Sequence, residues 1–162
     1  MSNLNFMQNI EFEVAITRLP NVQFSVQKFN MPSVTTTAIA VPTPFKNFYT
    51  TPDNVSLGEL NLSFLVDENM DNYTEVFNWL FNIAFPESAS QYTSVRDSAE
   101  GLKSDISVVL LNSAKRPFKR IVFTNCVPTG LSEISFDTTQ SSVNYPEVTA
   151  TFTYDVFKIE NL

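Results

Sequence analysis

Histidine is absent, cysteine occurs once and glycine three times in 162 residues. Each shortage closes a class of chemistry. Without His the chain lacks the commonest general base, the commonest metal ligand and the usual near-neutral pH switch. One Cys builds neither an internal disulfide nor a multi-Cys metal cluster. Glycine is too sparse for the Gly-rich loops that cradle phosphates and dinucleotides. Basic residues are scarce too: 10 Lys and Arg stand against 17 Asp and Glu, a net charge of −7. Such a chain is a poor candidate for gripping a nucleic-acid backbone. No run approaches the length of a bilayer-spanning helix. Residues 1–12 lack the basic and apolar regions of a secretory signal, so a membrane partner is not expected.

What remains is apolar and aromatic. Hydrophobic residues make up 43% of the chain, and 15 of them are Phe. That is too apolar for disorder, and a chain of this length buries roughly 70% of its unfolded surface. No composition shift or repeat divides it, so residues 1–162 read as one domain. Phe and the β-branched residues suit pleated, half-buried surfaces.

The periodicity agrees. Phe12, Val14 and Ile16 alternate with Glu11, Glu13 and Ala15, a period of two. After Leu19-Pro20-Asn21, Val22, Phe24 and Val26 alternate with Gln23, Ser25 and Gln27, which predicts a hairpin of two strands. The stretch Ser33–Val41 is β-branched. Between Pro42 and Pro52 the pattern dissolves, with Pro44, Phe45, Phe48 and Tyr49 inside it. Proline at that density excludes a central strand, so the segment reads as a long loop with exposed aromatics, of a kind that usually meets a partner.

Leu60, Leu62, Phe64 and Val66 line one face of a further strand. One helix follows. Asn72 with Glu75 has capping-box spacing, and Tyr73, Val76, Phe77, Leu80, Phe81 and Ala84 form an apolar stripe that leaves Trp79 off centre. Phe85-Pro86 stops it. Ser88–Ser104 is polar and reads as a loop. Asp105–Leu111, with Ile106, Val108 and Leu110 on one face, and Phe118–Val127 predict a second hairpin, and Val148–Ile159 one long final strand with Val148, Ala150, Phe152, Tyr154 and Val156 on one face. The expectation is a mainly β protein, an antiparallel β-barrel or sandwich with one packed α-helix.

Candidate reactive groups give little. Cys126 has no His to activate it and suits a buried strand position. Asp67, Glu68 and Asp71 gather at a helix start, where acidic residues complement the dipole. Lys115, Arg116, Lys119 and Arg120 hold four of the 10 basic residues and read as a solvated hairpin tip. No catalytic, cofactor-binding or metal-binding residue is expected, and the chain is not expected to be an enzyme.

The order of the short motifs is more informative than any one of them. A segment closing with Met31-Pro32 leads through a Thr-rich strand to Val41-Pro42-Thr43-Pro44 and Thr51-Pro52. Gly58-Glu59-Leu60 and Phe64-Leu65-Val66-Asp67-Glu68 follow, then Asn72-Tyr73, Asn78-Trp79-Leu80 and Phe85-Pro86, and finally Ala150-Thr151-Phe152-Thr153-Tyr154. In length and in this order the chain resembles the tail tube proteins of contractile-tailed bacteriophages and the related tube-like proteins of their baseplates. The resemblance implies subunits that form rings, usually six-membered, stacked into a tube whose channel conducts DNA during ejection. It implies self-assembly, sheath and baseplate partners, and a place in the virion tail after assembly in the host cytoplasm. A specialised ring at the baseplate or tube end is the alternative, as is a non-enzymatic β-barrel that binds a ligand or protein.

A long loop reaching the adjacent ring is also implied; here it falls around residues 42–55, with Pro42, Pro44, Phe45, Phe48, Tyr49 and Pro52. Polar strand faces suit a lumen that must not hold phosphates. The candidates for that lining are Glu11, Glu13, Gln23, Ser25, Gln27, Thr149, Thr151, Thr153 and Asp155.

Overall fold

The computed structural model describes Met7 and residues 11–98, 101–139 and 141–162. Strand β1 (Phe12–Ile16), helix α1 (Pro20–Ser25) and strand β2 (Val26–Asn30) come first. Four short strands follow: β3 (Val34–Thr36), β4 (Ile39–Pro42), β5 (Asn47–Thr50) and β6 (Val55–Leu57). Strand β7 (Leu60–Leu65) leads to helices α2 (Asp71–Ala84) and α3 (Ala89–Arg96). Strands β8 (Ser104–Leu111), β9 (Pro117–Leu131), β10 (Glu147–Thr153) and β11 (Val156–Asn161) end the chain.

The fold is mainly antiparallel β, as expected. Seven strands run in the order β1-β8-β9-β10-β7-β2, with β11 also on β9. The 15-residue β9 serves two halves of the sheet. Its first part pairs with β8 and β11, and its last part with β10. The halves meet at a corner. Asn125 has φ 56° there, a left-handed conformation that Asn tolerates better than most residues. One residue is bulged: Ser104 faces Cys126, but Ile106 faces Phe123. Asn125 N donates to Asp105 Oδ1 at 2.9 Å, and its Nδ2 donates to Asp155 Oδ2 at 2.6 Å. The bulge shifts the inward face from Ile121 and Phe123 to Cys126 and Pro128, so β9 can line one core from both halves.

That core holds Leu60, Leu62, Phe64, Phe123, Val148, Ala150 and Phe152, each fully buried. Alternation predicted these faces correctly on β7 and β10. No ladder joins β1 to β2 among the described residues, so the barrel is open between them.

Five local expectations need correction. The first two runs do not form a hairpin: β1 pairs with β8, β2 pairs with β7, and α1 lies between them. Pro20 stands in the first turn of that helix, where its missing N–H costs nothing. Val22 is buried while Phe24 is 85% exposed, so their alternation was never one face. Second, the described residues carry three helices, and polar α3 takes up residues 89–96 of the expected Ser88–Ser104 loop, of which residues 99 and 100 lie outside the described residues. Third, Pro42–Pro52 is not structureless, because β4 and β5 pair through it.

Fourth, the final strand breaks at Tyr154-Asp155, opposite the corner, where Asp155 N donates to Thr124 O at 3.1 Å. Fifth, α2 has no capping box. Asn72 is buried instead as a strap: its Nδ2 donates to Leu65 O at 2.7 Å and Ser25 Oγ at 3.0 Å. Glu75 accepts from Asn21 Nδ2 at 2.6 Å, tying α2 to α1. The face α2 buries is Asn72, Val76 and Trp79. Trp79 therefore faces inward, against Phe152 at 6.0 Å, and donates from Nε1 to Leu102 O at 3.2 Å. The stripe was wide enough to be misplaced by one residue.

Phe123 is fully buried at the sheet corner. Phe123→Ala should cost about 3–5 kcal/mol, measured as a lower urea midpoint at unchanged slope.

Candidate functional site

Two features stand apart from the core: an arm and a polar sheet face. The arm begins where Asn30 leaves β2 and returns at Leu60. Its root is β3 on β6, with Val34 opposite Leu57 and Thr36 opposite Val55. Its outer part is β4 on β5, with Ile39 opposite Thr50 and Pro42 opposite Asn47. Pro42 is at the end of its strand, where a missing N–H breaks little. The tip is a turn in which Thr43 N donates to Lys46 O at 3.2 Å, and Thr43 Oγ1 also donates to that carbonyl.

Pro42, Pro44, Phe45, Phe48, Tyr49 and Pro52 are all exposed on this arm. Phe45 is 99% exposed and Tyr49 73%, so nothing among the described residues covers them. The Lys46 ammonium lies 4.9 Å from the Phe48 ring centre. The root is held more firmly. Gly58 N donates to Ser33 O at 2.8 Å, and Tyr154 Oη donates to Gly58 O at 2.7 Å. A Cβ at Gly58 would meet Ser33 Oγ at 2.7 Å and Ser33 N at 3.1 Å, so a larger residue there would push Ser33 aside.

The polar face belongs to the half-sheet β2-β7-β10-β9. Lys28 opposes Ser63, and Asn30 opposes Asn61. Ser63 in turn opposes Thr149, and Asn61 opposes Thr151. The Ser63 and Thr149 hydroxyls are hydrogen-bonded at 2.8 Å. Thr151 Oγ1 donates to Asn61 Oδ1 at 2.9 Å, and Thr149 N donates to Ser132 Oγ at 2.9 Å. Lys28 and Glu147 pair at 2.7 Å. The face is thus built mainly of short neutral groups bonded to one another, Ser63 buried among them, with one charge pair that cancels and with half-buried Leu65 and Val127 opposite Glu147 and Thr153. Both edges of this half-sheet are open among the described residues: β2 pairs only with β7, and residues 127–131 of β9 only with β10.

The expected lining residues divide accordingly. Thr149, Thr151 and Thr153 share the polar face; its other members, Asn61 and Ser63, were not among the candidates. Glu13 lies on β1 in the other half-sheet. Gln23 and Ser25 are on α1, where Gln23 Oε1 accepts from Ile16 N at 3.3 Å and Ser25 Oγ donates to Val22 O at 3.0 Å. Asp155 holds the corner. Glu11 and Gln27 line a groove of about 490 Å³ beside Phe12, Phe29, Leu110 and Ile159, in the opening between β1 and β2.

A family model for phage tail tube protein matches residues 2–160. The chain belongs to the phage tail tube protein family. Among solved structures it is similar to a sheath/tube terminator of an extracellular contractile injection system, with TM-score 0.68, 17% identity, and 98% of this chain and 99% of that one covered. It is also similar to the tube-terminating cap of the anti-feeding prophage, with TM-score 0.63, 18% identity, and coverage of 100% and 95%. The six-fold symmetrised baseplate structure of the same prophage gives TM-score 0.64, 14% identity, and coverage of 99% and 97%. At such identities the likeness is one of fold. No curated protein sequence matches the chain.

The remaining chemical candidates of this tail tube family member have structural positions. Cys126 is fully buried, and desolvation pushes its thiol up to about 12. Asp71 lies in the first turn of α2. The basic segment is the β8–β9 turn, where Asn112 Oδ1 accepts from Ala114 N at 2.9 Å and Arg116 N at 3.1 Å. Lys115 approaches Glu11 at 3.9 Å, and Lys119 Nζ donates to Asn161 Oδ1 at 2.7 Å. Cys126 should resist iodoacetamide at pH 9 in the folded protein and react fully in denaturant, because only the thiolate attacks. Labelling read by mass spectrometry checks this; rapid native labelling would show that the corner opens.

Proposed function

We propose that copies of this chain close into six-membered rings that stack as the tube of a contractile phage tail, with DNA passing through the channel during ejection. The observation that carries this reading is the half-sheet with one buried face, one neutral hydroxyl-lined face and two open edges. Unpaired edges are a liability in a free molecule. Setting β2 of one subunit beside residues 127–131 of the next continues the sheet around a ring, a heterologous contact that closes on itself. The polar face then lines the channel, where its one cation, Lys28, is already paired with Glu147 and phosphates meet no unpaired fixed charge. The arm stands outside its own fold with its aromatics in water, the state of a side chain awaiting a partner subunit. A tube of this kind takes a sheath around it and a baseplate at its end, in a virion assembled in the host cytoplasm.

Negative-stain microscopy of the purified protein should show rings or tubes with a central hole. A stable monomer at micromolar concentration, by sizing column, would sink the proposal. Replacing Phe45, Phe48 and Tyr49 together by Ser should leave thermal stability within about 0.5 kcal/mol per site, keep rings and remove stacking. Thr149→Lys with Thr151→Lys should leave tubes intact but slow DNA ejection, with the defect easing as salt is raised, because added lumen cations meet phosphates. Unchanged ejection would remove these threonines from the channel wall.

A further inference from the structure

The two ends of the polar half-sheet carry complementary surfaces. β10 runs antiparallel to β7, with Leu60 opposite Phe152 at one end and Leu65 opposite Glu147 at the other. The arm is rooted at the Leu60 end, where Tyr154 clamps Gly58. The connection from β9 to β10, residues 132–146, lies at the Leu65 end, where Val66 N donates to Pro146 O at 3.0 Å. Its residues 133–137 and 142–146 line a cleft of about 750 Å³, among them Glu133, Phe136, Asp137, Val143 and Tyr145. Its apolar side chains lie in water as the arm's do: Phe136 is 77% exposed, Val143 88% and Tyr145 70%.

The charges also differ. Residues 121–157 contain no Lys or Arg. Glu147 is neutralised by Lys28, which leaves Glu133 and Asp137 as the cleft's acidic groups. Hydrogen bonds from the Thr139 hydroxyl and N–H hold the Asp137 carboxyl below the usual range, so it stays ionised. The arm's tip carries Lys46 between Phe45 and Phe48.

We propose that the arm of one subunit seats in the 132–146 cleft of a subunit in the adjacent ring. Phe45 and Tyr49 pack against Phe136, Val143 and Tyr145, and Lys46 lies beside Glu133 and Asp137. The proposal rests on the stacked-ring reading above and names the surface that receives the arm. A stack that grows without end requires complementary patches at opposite ends of its unit. The strand register puts these two there, each apolar patch edged by a charge of opposite sign that orients the encounter.

The test combines crosslinking with charge reversal. Phe45→Cys and Tyr145→Cys are placed in one chain, tubes are oxidised, and products are separated without reductant. A ladder longer than one ring is expected, with monomer from either single variant and from the parent, whose Cys126 is buried. Lys46→Glu should retain rings but lose tubes, and adding Glu133→Lys with Asp137→Lys should restore them. Circular dichroism of each variant confirms that it folds.

Tubes of normal length with no ladder and no recovery would overturn the arm–cleft pairing while leaving stacked rings in place. A ladder from Phe45→Cys with Ile159→Cys would overturn it too, sending the arm to the groove between β1 and β2. Failure of the parent chain to form any ring would remove the stacked-ring reading, and this pairing with it.

Discussion

An aromatic cluster at the sheet corner sets the position of everything else. Phe123 lies 5.0 Å from Tyr154, 5.6 Å from Phe157 and 6.2 Å from Phe29, and Phe29 lies 6.1 Å from Phe12. These rings come from β1, β2, β9, β11 and the break before β11. The contacts are edge-on or tilted, the arrangements aromatic quadrupoles favour. Because β9 pairs on both sides of this point, the rings hold the half-sheets at one fixed angle. Loosening them would move the arm's root and the polar face together.

Tyr154 is the link between that interior and the outside. Its ring packs on Phe123, while its hydroxyl donates to Gly58 O at the arm's root. Burial pushes its phenol up, so the hydroxyl keeps the proton it donates. The arm is therefore anchored in the core at one end and bare at the other. That division suits the proposed ring, in which the chain is rigid by itself and offers sticky surface to its copies. The polar half-sheet divides the same way, with one face satisfied by Leu and Phe and the other by hydroxyls bonded to each other.

Much of the fold was legible wherever one face of a strand is apolar and buried more deeply than the other. β7, β8 and β10 are of that kind, and alternation found their inward residues. It failed where burial does not follow period. Val22, Phe24 and Val26 mimic a strand, but Pro20 starts a helix in which only Val22 is covered. In the stretch 132–146, Phe136, Val143 and Tyr145 are apolar side chains that nothing among the described residues buries. α3 has little apolar stripe to read, and its one signal, Ser88 with Gln91 three residues on, is short; Gln91 Oε1 accepts from Glu87 N at 2.8 Å. On α2 the apolar residues cover so much of the surface that the stripe alone does not choose Trp79. Phe77 and Phe81 stack on each other at 4.9 Å instead, with Phe77 exposed.

By itself the amino-acid order determined an acidic, strand-rich chain without histidine chemistry, a proline-aromatic excursion left uncovered, and threonine faces opposite apolar ones. These are local properties, set by side-chain polarity and by the period of an extended backbone. Tertiary structure alone decided which strands pair, since β1 and β2 are neighbours in sequence yet find partners on opposite sides of the sheet. It also decided that the excursion is a paired ribbon, and that the arm and the 132–146 cleft lie at opposite ends of one half-sheet. Strand register is a long-range quantity: it follows from how the whole apolar surface is buried at once, and no short window of residues contains it.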